Sequence, residues 1–332
     1  MDLSHIRRVA LFCPPAATGG PEALHQLSHA LTRLGLECYM VYFRVGDGVR
    51  IEKDRIRSAS PLAAKMVDFY AAYAPRFEPE VPRDADTLVV LPEALALQHY
   101  RFKLGKVAIW WLSVDNAYRG APQLEDEAVR RELFARPDLI HLWQSAYARD
   151  FLREGGAPNV AELRDYTSPL FTQTPPAGPP PRLACAYNAA KGGDLGRDFF
   201  EVHPRLDGLA LKGFSKPELR DIFSERLVYV DFGHFPGQDR LPREAAASGA
   251  VAFVHRKGAG AHDEDFPLPE VFKFEEGEVR SGELAARIEA VMADPRRYWD
   301  LQRPFRDRIL GERQAFHAQA AALFGRAPAG ES

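Results

Sequence analysis

Residues Leu227 to Val254 read LVYVDFGHFPGQDRLPREAAASGAVAFV. The β-branched and aromatic run Leu227 to Phe232 has the composition of a strand, and Gly233, Pro236 and Gly237 punctuate its end. Pro242, Arg243 and Glu244 then open an alanine-rich helix that stops at Gly249, where a left-handed cap fits. Val251 to Val254 follows as a second buried strand. Together they form one βαβ unit, with its loop at the carboxyl end of the first strand. Open α/β sheets place their ligands there.

That loop carries His234, Gln238, Asp239, Arg240 and Arg243. Gly233 and Gly237 let the backbone approach a ligand, N–H groups at the helix start attract an anion, and two arginines add forked donors. This chemistry suits a phosphorylated ligand carrying a sugar. Glu244 admits two readings of equal weight: a carboxylate that stabilises the helix dipole, or an acceptor for ribose hydroxyls.

The rest of the chain sets outer bounds. Its 332 residues suggest two domains, and 46% hydrophobic with 27% charged residues describes a globular protein with a sizeable core. A formal net charge of −3 gives no reason to expect nucleic-acid binding. Cys13, Cys38 and Cys185 form neither a metal spacing nor a disulfide framework, which points to a reducing cytoplasm. No apolar run reaches the length of a membrane span, so work on a lipid-linked substrate would have to be done by a soluble or membrane-peripheral protein.

From the amino terminus, strands are expected at Arg8–Cys13, Glu37–Phe43, Asp86–Leu91, Lys106–Leu112, Leu139–Gln144 and Val160–Leu163. Helical segments fall between them, the first over Glu22–Leu34, while 44–83 shows less regularity apart from a helical Ala63–Tyr73. Alternation of this kind implies a Rossmann-like parallel sheet. Its carboxyl edge would gather Glu93, Asp115, Asn116, Ser145, Asp165 and Tyr166, with Ser145 doubling as a helix cap. Gly19 and Gly20 before the first helix make a candidate anion nest. The proline-rich stretch 167–182 reads as a stiff linker between a first domain (1–166) and a second (183–295). In the second domain Lys191 lies in the glycine-bearing loop NAAKGG, either as a phosphate ligand or as an exposed lysine. A helical tail over 296–325 and a disordered end at 326–332 complete the chain.

The central stretch resembles the donor-binding motif of glycosyltransferase-like proteins of bacterial polysaccharide (O-antigen or capsule) loci. Tyr229, Val230, Asp231, Phe232, Gly233, Pro236, Gly237, Asp239, Arg240, Pro242, Arg243, Glu244, Ala245 and Ala246 carry that resemblance. The segments SVDN at Ser113–Asn116, QSAYA at Gln144–Ala148 and Asp165-Tyr166 extend it. More loosely, the helix is similar to the nucleotide-sugar helix of two-domain GT-B glycosyltransferases. The resemblance implies a GT-B-like α/β fold, two Rossmann-like domains with parallel sheets facing across a cleft, and a tail that returns to the first domain. It also implies that Gly19, Gly20 and Glu22 line the acceptor side with Asn116, Ser145 and Asp165, and that Lys273 closes the base and ribose side. Retaining members often carry a second glutamate where Pro236 stands here, so a retaining mechanism is not implied.

The function expected on this basis is transfer of a sugar from a nucleotide-sugar to a saccharide or lipid-linked saccharide acceptor. Lys191, Gly233, His234, Gly237, Asp239, Arg240, Arg243, Glu244 and Lys273 would form the donor site. Asp115, which on the residues alone could also simply cap the next turn, is the first candidate for the base that takes the acceptor proton, with Glu22 and His25 behind it. The donor loop 233–244 carries no Asp-x-Asp motif of the kind that holds manganese in single-domain glycosyltransferases, and His255 and His262 have no metal-ligand spacing, so no metal and no cofactor is expected. A nucleotide-sugar epimerase and a non-catalytic nucleotide- or saccharide-binding protein are the alternatives.

Overall fold

The computed structural model describes residues 2–44 and 48–327. The chain forms two compact units, one running to Asp165 and resuming from Gln314, the other comprising Tyr166–Arg313. The expected disordered end falls, from residue 328 on, outside the described residues.

Each unit is built on a parallel sheet. In the first, β1 (Arg8–Cys13) and β2 (Glu37–Tyr42) are followed by three short strands, β3 (Arg50–Ile51), β4 (Arg55–Arg57) and β5 (Glu80–Pro82). Next come β6 (Thr87–Pro92), β7 (Lys106–Trp111), β8 (Leu139–Trp143) and β9 (Val160–Glu162). The main sheet has the order β2-β1-β6-β7-β8-β9. The chain starts in its interior, steps outward to β2, then returns to build the other side, so β1 and β6 flank the point where the order reverses. All six residues of β6 are buried, the continuous apolar pattern of a strand covered on both faces. Trp110 and Trp111 are core residues, with their indole N–H groups donating to the Leu163 carbonyl (2.9 Å) and to His141 Nδ1 (3.1 Å).

β3, β4 and β5 form a separate antiparallel sheet inside the segment expected to be irregular. Only Ile56 and Val81 of these strands are fully buried, and Arg55, Arg57 and Glu80 pair on the outer surface. No apolar run existed to announce them. The helix after β1 spans Gly19–Arg33, beginning three residues before the expected start.

The second unit has β10 (Arg182–Asn188), β11 (Gly208–Leu211), β12 (Arg226–Asp231), β13 (Val251–His255) and β14 (Lys273–Phe274), in the order β11-β10-β12-β13-β14. Its order reverses between β10 and β12. Part of the proline-rich stretch belongs to this unit's packing: Pro169–Thr172 is a helical turn and Phe171 is buried. The last helix, Arg303–Leu323, passes from the second unit into the first. Within the first unit Phe316 stacks on Trp110, Gln319 accepts the Arg164 N–H at 2.9 Å, and Arg326 donates to the Leu34 and Ile6 carbonyls.

Candidate functional site

The reversal point of the second sheet brings together the two loops singled out in the sequence. β10 ends at Asn188, whose Oδ1 accepts the Ala190 and Lys191 N–H groups of the following loop at 3.0 and 3.3 Å. Gly192 is left-handed there (φ 66°), and a Cβ on it would lie 2.4 Å from the Phe232 carbonyl oxygen. A Cβ on Gly233 would approach that of Lys191 to 2.7 Å. The loops therefore pack backbone against backbone, and glycine is required on both sides.

One carboxylate ties them. Asp231, buried at the end of β12, accepts the Gly233 N–H (3.0 Å), the Tyr229 hydroxyl (2.6 Å) and the Asn188 amide (3.3 Å). Burial raises its pKa against the pull of those donors. A second carboxylate, Asp239, pairs with Lys191 at 2.6 Å, and burial pushes it up to about 6 while the Lys191 ammonium draws it down. Lys191 keeps 41% of its side chain exposed. Asp231 and Asn188 had no assigned role in the sequence reading. The local sign for them is a polar residue at the last position of a buried strand, followed by a glycine-bearing loop.

The structure separates the remaining donor candidates. The helix starts at Arg240, not Pro242, so Glu244 is its fifth residue and lies beyond the first turn, buried at 4% exposure. Its reading as a dipole-stabilising carboxylate therefore loses its geometric basis. Arg240 is half-buried at the helix start, His234 is exposed, and Gly237 is buried with its carbonyl accepting the Asp239 N–H. Arg243 is corrected outright as a surface phosphate ligand. Its side chain has no exposed surface and donates to Glu312 (2.9 Å) and to the carbonyls of Gln238 (2.8 Å) and Asp239 (3.3 Å). Lys273 is likewise enclosed, paired with Asp263.

In the first unit the sheet's carboxyl edge collects carboxylates. Glu22 is buried and accepts the Tyr73 hydroxyl at 2.8 Å. His25 is fully buried and stacked on Tyr70 (3.9 Å), its Nδ1 on the Pro21 carbonyl (2.6 Å) and its Nε2 on the Tyr42 hydroxyl (2.8 Å). Burial lowers its pKa to about 4. With both ring nitrogens engaged inside the unit, His25 is corrected as a base for an incoming substrate. Ser145 Oγ caps the helix Ala146–Glu154 through the Ala148 N–H (3.1 Å), and Asp165 accepts the Gln144 amide at 2.8 Å. Gly19 and Gly20 are the first residues of their helix, half-buried, and Gly20 lies beside Leu112. Asp115 and Asn116 are half-buried at the start of the helix Val114–Gly120. Glu93 joins this edge: it is 5% exposed, and burial raises its pKa to about 7. A groove of about 590 Å³ beside Leu95, His99, Gly120 and Arg136 contains none of the candidate residues.

No family model matches the chain, and no curated protein matches it. Solved structures do. HepE of Anabaena in complex with UDP-glucose has a TM-score of 0.61 at 10% identity, covering 96% of this chain and 99% of that one. T4 phage BGT in complex with UDP-glucose has 0.51 at 11%, covering 96% and 99%. The catalytic domain of starch synthase IV from Arabidopsis thaliana, bound to ADP and acarbose, has 0.51 at 10%, covering 96% and 99%. These are GT-B glycosyltransferases, and the two Rossmann-like halves of the present chain have the GT-B fold.

Proposed function

We propose that the protein is a metal-independent glycosyltransferase that moves a sugar from a nucleotide-sugar to a saccharide acceptor in glycan or polysaccharide assembly, working in the cytoplasm as a soluble or membrane-peripheral protein. One observation carries this reading: a part-exposed Lys191, steered by Asp239, at the glycine-packed reversal point of the second sheet. A part-exposed lysine at the strand-order reversal of a parallel sheet, between two loops closed through glycine, is a suitable seat for a diphosphate. Structural neighbours with the same fold hold UDP, UDP-glucose or ADP, which supports the reading further.

In this account Lys191, Arg240 and loop N–H groups neutralise the leaving diphosphate, the part a metal plays elsewhere. Glu244 serves the ribose hydroxyls, and Arg243 shapes the loop from beneath. Asp115 takes the acceptor proton as the acceptor oxygen bonds to the anomeric carbon. The anomeric C–O bond to the β-phosphate breaks in the same step, and its electron pair leaves with the nucleoside diphosphate.

Incubation with a panel of nucleotide-sugars, with and without saccharide acceptors, tests this by mass spectrometry. Release of nucleoside diphosphate that accelerates with acceptor, together with an acceptor heavier by one sugar, is expected. Conversion of the nucleotide-sugar to an isomer without acceptor would identify an epimerase. Binding without turnover of any donor would identify a recognition protein.

A further inference from the structure

Glu93 follows β6 directly and begins the 3₁₀ helix Glu93–Arg101. Its Oε2 accepts the Leu112 N–H at 3.2 Å, and the Ser113 N–H and the Asn116 side chain lie near enough to draw its pKa down. All three groups belong to the turn that joins β7 to the helix Val114–Gly120, and Asp115 stands in the same turn. Ser113 occupies that helix's N-cap position but makes no side-chain cap bond, and its Oγ is buried without a partner. The turn is therefore pinned by a carboxylate from the neighbouring strand rather than by its own cap.

We propose that Glu93 is a positioning residue for the transfer reaction, its ionised carboxylate holding the Leu112–Asn116 turn in the shape that presents Asp115. The proposal rests on the reading of Asp115 as the base. The donors on Glu93 favour its charged form while burial opposes it, which places its titration near neutrality. Groups charged or titrating between pH 5 and 9 on its own helix and on the elements packed against it are His99 and Arg101, Asp115 and Arg119, and Lys106. A Glu93→Gln variant retains an acceptor for one donor and removes the titration, leaving all five of those groups in place.

The test has two arms. In the first, the backbone amide shifts of Leu112 and Ser113 are followed by NMR from pH 5.5 to 8.5. Both should report one titration near pH 7 that is absent in Glu93→Gln. Asn116→Ala, which removes one of the groups that draw the Glu93 pKa down, should move that titration upward. In the second arm, wild-type turnover should rise through the same titration. Glu93→Gln should lose that limb, with kcat lower by about tenfold to a hundredfold and donor KM unchanged. Amides that do not titrate in this range, or an unchanged turnover profile in Glu93→Gln, would overturn the proposal. Titrating amides in a protein that turns over no nucleotide-sugar would instead reject the transferase reading.

Discussion

The two sheets reverse their strand order in the same way, yet their carboxyl edges carry opposite chemistry. In the second unit the edge presents an ammonium, Lys191, over backbone packed through Gly192 and Gly233, with its carboxylates turned inward as ties. In the first unit the edge collects carboxylates around the ends of β1, β6, β7 and β9; Glu22, Glu93 and Asp165 are buried ties, and Asp115 is the half-buried one. One edge is suited to hold an anion, the other to accept a proton. In the proposed reading, the residue type that ends each strand is what separates donor binding from acceptor activation.

Variants of the two edges should behave differently. The largest stability effect is expected for Arg243→Ala, which leaves the Glu312 carboxylate buried without its cation. A loss of about 3–5 kcal/mol in urea unfolding is predicted, whereas Lys191→Ala should cost less than about 1 kcal/mol because its pair is part-exposed. Equal losses would show that Arg243 and Lys191 do the same task. On the other edge, Asp115→Asn should cut turnover by ~10²–10⁴ with an unchanged melting temperature. Full turnover in that variant would remove Asp115 from the mechanism.

Smaller effects sharpen the contrast. Gly192→Ala places a Cβ against the Phe232 carbonyl at a left-handed position, for an expected loss of about 1–3 kcal/mol and weakened nucleotide binding. The smallest effect concerns pH. His25 has a folded-state pKa of about 4, below the ordinary 6.5, so the unfolded chain binds more protons between those values. Its contribution to stability is complete above pH 6.5 and is lost as pH falls towards 4. In His25→Gln the drop in urea midpoint from pH 7 to pH 5 should shrink, while His141, also lowered to about 4 by burial, retains its share. An unchanged drop would mean that His25 is not held neutral.

Much of this was legible locally. Apolar runs ending in glycine or a polar residue located the main-sheet strands, and the loops at Lys191 and Gly233 showed their chemistry beside the strands that deliver them. What failed to show was long-range. Arg243 looks like Arg240 in sequence, because the partner that buries it, Glu312, lies 69 positions further along the chain. Glu93 was visible as a polar strand end, but its hold on the turn at Leu112 depends on β7 lying beside β6. The strands β3 to β5 were silent because they are two or three residues long and half of their residues are charged, leaving no apolar face.

Calorimetric titration of UDP into the wild type and Lys191→Ala tests the central claim most directly. The account predicts saturable binding by the wild type, with affinity at least about tenfold weaker in the variant, a loss of roughly 1.4 kcal/mol or more, and an unchanged melting temperature. Equal affinity in the two proteins, or no nucleoside diphosphate binding by the wild type across a panel of bases, would contradict it.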